Sequence, residues 1–236
     1  MESIIRKYME EINMNLPDDK IKALSEYYYE VINWNEKINL TSITDKIDFA
    51  IKHIIDSIFI LKLLDIPVKS RIIDVGTGAG IPGIILKIAR SDLNVTLLDS
   101  IKKKTDFVKE IIEKFNLKDA LVLNKRAEEA GKDKNHREAY NYSIARAVSG
   151  LPTLAELCLP FVKINGYFIA MKGENVEEEV KDSEKAISLL GGSIIDIFSY
   201  ELPMGYKRRI VIVEKIKPTP EQYPRRAGIP EKRPLK

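Results

Sequence analysis

Residues 72–83 read IIDVGTGAGIPG, and the fold follows from how that stretch changes character partway along. Ile72-Ile73-Asp74-Val75 is a short β-branched run with the texture of a strand. Gly76, Gly78 and Gly80 then alternate through a turn, where backbone free to take positive φ lets a ligand approach closely. An apolar stretch with Pro82 in its first turn opens a helix over about 81–90, whose start presents unpaired N–H groups. A tight turn without a ligand would account for the glycines alone. An acid before them, Asp74, and another after them, Asp99, argue for a bound molecule.

On either side the texture agrees. Asn94–Leu98, Ala120–Leu123, Tyr142–Ala145 and Gly166–Met171 read as further strands, alternating with helices expected at about 102–115, 152–162 and 174–190. Such alternation predicts a parallel, doubly wound α/β sheet. Ser193–Ser199 and Arg209–Glu214 close the series with too little chain between them for a crossover helix, so they form an antiparallel hairpin. Upstream, residues 2–14 and 19–39 read as helices, and a third at about 48–64 is apolar nearly all round and should be buried. The division expected is an N-terminal helical extension over 1–65 packed on the core, a core over 66–216 and an arm over 217–236. Five parallel strands with a terminal antiparallel hairpin resemble the layout of class I, Rossmann-like methyltransferases.

One cysteine, Cys158, and two histidines, His53 and His136, exclude an internal disulfide framework and make a Cys/His zinc site implausible; no metal is expected. The start is polar rather than signal-like. The most apolar stretch, near 54–64, holds Asp56, Ser57 and Lys62 and is too short to span a bilayer. A cytoplasmic monomer with no membrane partner is the expectation. Net charge is +3, but the last twenty residues carry six basic side chains against two acidic ones, which leaves the other 216 residues at −1. That asymmetry suits a polyanionic partner, or a solubilising tail.

Asp74 bears on which ligand the glycine turn serves. A carboxylate there would repel a dinucleotide pyrophosphate and suits the cationic sulfonium and ammonium groups of S-adenosylmethionine. Asp99, 23 residues after Gly76, suits a ribose diol in either ligand and does not discriminate. The acceptor is narrowed by elimination. Attack through a pyrimidine carbon needs a cysteine nucleophile, and Cys158 reads as a small buried hydrophobe. Many nucleic-acid enzymes that methylate exocyclic amines carry an (Asp/Asn)-Pro-Pro-(Tyr/Phe) turn after the fourth strand; here Ala145-Arg146-Ala147-Val148 stands in its place. Guanine N7 already bears a nucleophilic lone pair and needs mainly alignment and donors for the base edge.

Arg146, at the C-terminal end of the fourth strand, is the candidate donor, and replacing it by alanine is expected to stop transfer without unfolding the chain. Lys172, placed equivalently after the fifth strand, is the second candidate for positioning the substrate, though alone it reads better as an ordinary charge. No general base is assigned. His53, Asp56 and Ser57 hold the letters of a hydrolase triad but share one helix face and lack a nucleophile elbow. They read as a buried polar cluster tying the N-terminal helices to the sheet.

Taken together, these pieces resemble the RsmG/GidB family of small-subunit ribosomal RNA guanine-N7 methyltransferases. The likeness runs through Trp34-Asn35, Asn39-Leu40-Thr41, His53 with Asp56-Ser57, the Asp74–Gly80 turn, Leu98-Asp99-Ser100, Arg126-Ala127-Glu128, Arg146-Ala147, Lys172-Gly173 and the closing Tyr-Pro-Arg-Arg-x-Gly-x-Pro. It implies methyl transfer from S-adenosylmethionine to N7 of the guanine at position 527 of 16S rRNA, with the rRNA or the small ribosomal subunit as partner. It also implies cofactor contacts at Gly76, Ile81, Ala127, Glu128 and Arg146, beside the Asp74, Gly78, Gly80 and Asp99 read from the turn. Ile81 stands where phenylalanine is frequent in the family, and Ala145 where serine is. A non-catalytic RNA-binding protein with this fold, or a small-molecule methyltransferase, are the alternatives.

Ala227-Gly228-Ile229-Pro230 repeats Ala79-Gly80-Ile81-Pro82 letter for letter. No strand precedes the second copy, and Pro224, Pro230 and Pro234 forbid a regular helix or central strand, so no second cofactor site is expected. The expectation is an extended arm crossing the C-terminal sheet edge, with Arg225, Arg226, Lys232 and Arg233 on rRNA phosphates.

Overall fold

The computed structural model describes residues 1–146 and 149–235. Ala147 and Val148 of the turn after the fourth strand, and Lys236 at the tip of the arm, lie outside the described residues. The chain opens with helices α1 (Glu2–Glu11) and α2 (Asp18–Asn35), followed by a continuous helical stretch of α3 (Lys46–Phe49), a π-helical segment (Ala50–Ile55) and α4 (Asp56–Leu63). There follow β1 (Arg71–Val75), α5 (Gly83–Ala89), β2 (Asn94–Asp99), α6 (Lys102–Lys114), β3 (Ala120–Asn124), a single turn α7 (Ala127–Ala130) and β4 (Tyr140–Arg146). The rest is α8 (Leu151–Cys158), β5 (Val162–Lys172), α9 (Glu177–Leu189), β6 (Gly192–Leu202), β7 (Tyr206–Lys215) and a last turn, α10 (Ile229–Lys232).

Seven strands form one sheet in the order β3-β2-β1-β4-β5-β7-β6. The first five are mutually parallel, and β7 runs antiparallel to both β5 and β6. The order reverses between β1 and β4, so a crevice opens beyond the carboxyl ends of those two strands. Register puts Asp74 beside Ile144, and Arg146 two residues further, at the very end of β4.

Apolar side chains fill both faces of the sheet. On one face α1, α2, the α3–α4 stretch and α5 bury Tyr27, Phe49, Ile54 and Ile84 in a single cluster with Ile72 and Ile144. On the other, α8 and α9 bury Leu154, Phe161 and Ile187 against Ile73, Phe168 and Val211, and Tyr223 of the C-terminal arm joins them. Burial of this kind is worth about 1.5–3 kcal/mol per large side chain and fixes how the helices sit on the sheet.

Among the differences from the sequence reading, one strand and one helix stand out. Strand β5 begins at Val162 rather than Gly166, because a register shift between Tyr140 and Tyr142, with Asn165 at φ 63°, bulges past the Asn165-Gly166 pair. The third helix carries a π-helical middle, which no composition signal announced. No helix of the described residues is long and apolar enough to cross a membrane.

Candidate active site

Beyond the ends of β1, β2 and β4 lies a cavity of about 310 Å³, lined by Gly76, Asp99, Lys104, Ala127, Glu128, Arg146 and Ser149 among others. The glycine turn forms its back. Gly76, Gly78 and Gly80 take φ of 76°, 58° and 89°, conformations that a Cβ would strain. The turn is closed by Gly80 N–H on the Thr77 carbonyl at 2.8 Å and braced from α2, where the Tyr27 hydroxyl donates to the Ala79 carbonyl at 2.6 Å.

Asp99 ends β2 on the cavity wall. One carboxylate oxygen accepts from Gly78 N–H at 3.0 Å and the other from Ile101 N–H at 2.8 Å, so its direction is fixed by two loops at once. Spare lone pairs remain on both oxygens for a ribose diol. Glu128, across the cavity at the start of α7, accepts from Gly228 N–H with Oε1 at 2.8 Å.

Asp74 does not reach the cavity wall, which corrects the reading that it faces the ligand. Its Oδ2 accepts from the Thr77 hydroxyl and, at 2.9 Å, from Gly83 N–H, so it ties β1 to the start of α5. A Cβ on Gly83 would come within 2.8 Å of that oxygen, which is why glycine stands there. Burial pushes the Asp74 carboxyl up to about 6, and its Oδ1 is buried without a partner among the described residues. Gly78 acts by holding Asp99. Gly80 shapes the turn, and Ile81 packs into the apolar cluster rather than lining the cavity.

Arg146 lines the cavity and reaches back to the π-helical segment. One terminal nitrogen donates to the Lys52 carbonyl at 2.6 Å and stands 3.4 Å from Asp56 Oδ2; the other donates to His53 Nδ1 at 2.7 Å. Because a guanidinium only donates, Nδ1 must accept, and the imidazole proton sits on Nε2, directed at the Thr41 hydroxyl oxygen 2.9 Å away. Burial, and then the Arg146 cation, push His53 down to about 3, so it is a neutral acceptor. Asp56 also accepts from the Tyr200 hydroxyl at 2.7 Å, and Ser57 donates to the His53 carbonyl. The triad letters thus form a polar cluster joining helix to sheet around Arg146, with its Nε–H uncommitted among the described residues.

Lys172 is corrected. Its ammonium donates to the Ser149 carbonyl and to Glu179 Oε1, both at 2.8 Å, and Glu179 also accepts from Leu151 N–H at the start of α8. It pins the β4–α8 connection to α9 and does not line the cavity.

The C-terminal arm is corrected too. Rather than crossing the sheet edge, it folds back over α7 and α8 to the cavity. Arg137 clamps it by donating to the carbonyls of Thr219, Pro220 and Tyr223. Arg225 grips Glu156, a carboxylate with no solvent exposure, through its Nε and a terminal nitrogen, and so is not available to a phosphate. Thr153 donates to the Pro230 carbonyl at 3.1 Å, and Pro230 and Glu231 line the cavity. The second AGIP run is therefore a lip of the same site, turned by Gly228 at φ 78° into the single helical turn α10. Arg226, Lys232 and Arg233 remain exposed. Nothing local in the sequence announced the strap; only the opposite charges of Glu156 and Arg225, 69 residues apart, hinted at it.

The family described as rRNA small subunit methyltransferase G, GidB, matches this chain over residues 20–204. The chain belongs to that family. A ribosomal RNA small subunit methyltransferase G from Desulforamulus reducens is 45% identical over 98% of this chain and 97% of its own length. One from Acetivibrio thermocellus is 48% identical over 94% and 91%. Among solved structures, Aeropyrum pernix fibrillarin with natively bound S-adenosyl-L-methionine superposes with a TM-score of 0.52 at 14% identity, covering 67% of this chain and 73% of that one. This last likeness shows the fold, that of the class I S-adenosylmethionine-dependent methyltransferases. In this member of the GidB family the cavity lies at the β1/β4 crevice, the topological switch point of the sheet.

Proposed function

We propose that this chain transfers a methyl group from S-adenosylmethionine to N7 of a guanine, that at position 527, in 16S rRNA of the small ribosomal subunit, acting in the cytoplasm as a monomer. The observation that carries this reading is the cavity itself. In a member of the rRNA small subunit methyltransferase G family, it brings Gly76, Asp99, Ala127, Glu128 and Arg146 to one crevice.

Those five residues would hold the cofactor. A positive-φ glycine on the wall allows close approach, and two carboxylates facing the cavity are acceptors for hydroxyl groups. When bound, S-adenosylmethionine supplies an electrophilic methyl group on a sulfonium. The protein's part is then alignment and exclusion of water. Arg146, held from behind by Lys52, His53 and Asp56, offers its Nε–H, uncommitted among the described residues, to the guanine edge or the cofactor's carboxylate. His53 does not serve as a general base, because its accepting nitrogen is engaged by Arg146. That suits an acceptor whose lone pair needs no deprotonation.

We retain 1–65, 66–216 and 217–236 as the functional division: a bracing layer that positions Arg146, a cofactor-binding core and a strap that forms one lip of the cavity. On that lip Arg226, Lys232 and Arg233 are proposed to meet rRNA phosphates. The test is transfer of tritiated methyl from S-adenosylmethionine to naked 16S rRNA and to assembled small subunits, with the labelled base located by cleavage at 7-methylguanosine. Label at one guanine supports the reading. No incorporation into either substrate sinks it.

A further inference from the structure

On the side of the cavity away from the strap, a groove of about 400 Å³ separates the end of α2 from the start of α6, lined by Lys37, Lys103, Lys104, Asn35, Asn39 and Ile101, with Glu36 as its single acid. Lys104 lines both the groove and the cofactor cavity, so the two adjoin at that side chain. Lys37, Lys103 and Lys104 have no ion-pair partner among the described residues, as does Arg126 further along the same cavity wall, whereas Lys102 is paired with Asp106. We propose that this groove docks the phosphate backbone of the substrate RNA beside the reacting base. The proposal rests on the rRNA reading above.

The walls are rigid. Trp34 at the end of α2 stacks obliquely on Phe107 of α6, ring centroids 5.6 Å apart, and its Nε1–H donates to Glu110 at 3.2 Å. The Lys37 ammonium lies over the Trp34 ring, 5.8 Å from its centroid, which keeps the charge at the edge of the groove. Asn35 Oδ1 accepts from both Leu40 and Thr41 N–H, fixing the loop that closes the groove. That loop leads through Thr41 and His53 to Arg146, so a phosphate seated on the lysines stands in fixed register with the cavity. Three lysines against one acid on a braced frame, Lys37 and Lys103 exposed and Lys104 half-buried, fit a polyanion and give position rather than sequence. With Arg225 held by Glu156, this lip adds positive charge beside the cavity that the strap alone does not supply.

The experiment uses Lys37→Ala/Lys103→Ala in the full chain, with Lys104 left intact. The control is Lys118→Ala/Lys163→Ala, which removes equal charge at the opposite end of the strands. Binding to end-labelled 16S rRNA transcript is measured by filter retention across a salt series, alongside calorimetry with S-adenosylmethionine and a thermal melt. Expected are RNA affinity about tenfold weaker, a log–log salt slope shallower by about 1.5, and cofactor affinity and melting temperature unchanged. The control should match the unsubstituted protein. RNA affinity equal to that of the unsubstituted protein overturns the proposal. Because binding is read directly, the groove is tested even if the parent chain transfers no methyl group, and that failure would fall on the functional reading alone.

Discussion

The main-chain N–H of Gly228 donates to Oε1 of Glu128 across 2.8 Å, joining two residues a hundred positions apart at the mouth of one cavity. The C-terminal strap is thereby part of the cavity proposed to hold the cofactor. Ending the chain after Ala227 removes Gly228, Pro230 and Glu231 and leaves Arg225 on Glu156. S-adenosylmethionine affinity should then fall at least about tenfold, or ~1.4 kcal/mol, with a melting temperature close to that of the full chain. Calorimetry checks it. Unchanged affinity would make the strap a bystander to cofactor binding.

Arg225 and Glu156 form the second fastening. Glu156 has no solvent exposure and takes four hydrogen bonds from Arg225, one of them from its backbone N–H. Arg225→Ala leaves a buried carboxylate without its counter-charge, a loss of about 3–5 kcal/mol. The double variant Arg225→Ala/Glu156→Leu should recover much of it, because the uncompensated charge is gone. Urea unfolding of the four proteins in the cycle measures the coupling; simple additivity would show that the pair does not act together.

How far the sequence spoke depends on the range of the interaction. The β1 turn was legible because strand, glycines and helix start are contiguous, and strand alternation gave the sheet because side-chain period and connection length are local properties. Asp74 was misplaced because its partners, Thr77 and Gly83, lie within the same turn, and a nearby N–H satisfies a carboxylate as well as a ligand does. Lys172 and Arg225 looked free only because Glu179 and Glu156 come from other elements. The π-helical segment, whose Lys52 carbonyl accepts from Arg146, has no compositional mark.

Arg146→Ala should cost stability as well as activity, contrary to the expectation from sequence alone. Asp56 is nearly fully buried and would keep only Tyr200 and the longer 3.7 Å approach of Arg208, while His53 Nδ1 would lose its donor. A loss of about 3 kcal/mol is expected, with methyl transfer abolished. Arg146→Lys should regain part of the stability and little of the transfer, since one ammonium cannot reproduce the planar fork. Denaturant midpoints and tritium incorporation report the two effects separately; full stability in the alanine variant would remove Arg146 from the brace.

His53 makes the brace sensitive to acid. It is held down to about 3 in the native chain, against about 6.5 for an unperturbed imidazole. Between those values the unfolded chain takes up a proton that the native chain refuses, so unfolding free energy falls as pH drops through 6.5. Asp74 pulls the opposite way, since its native value of about 6 lies above the unfolded one, and the stability it contributes is present at low pH and lost as pH rises through 6. Comparing the parent chain with His53→Gln cancels that shared contribution. The variant should be the less stable at pH 7.5, where Arg146 lacks its Nδ1 acceptor, and the gap should shrink by about 2 kcal/mol by pH 5. Urea titrations over a pH series decide it. A gap independent of pH would mean that the native histidine takes up its proton as readily as the unfolded one, and the direction of the Arg146 hydrogen bond would have to be reassigned.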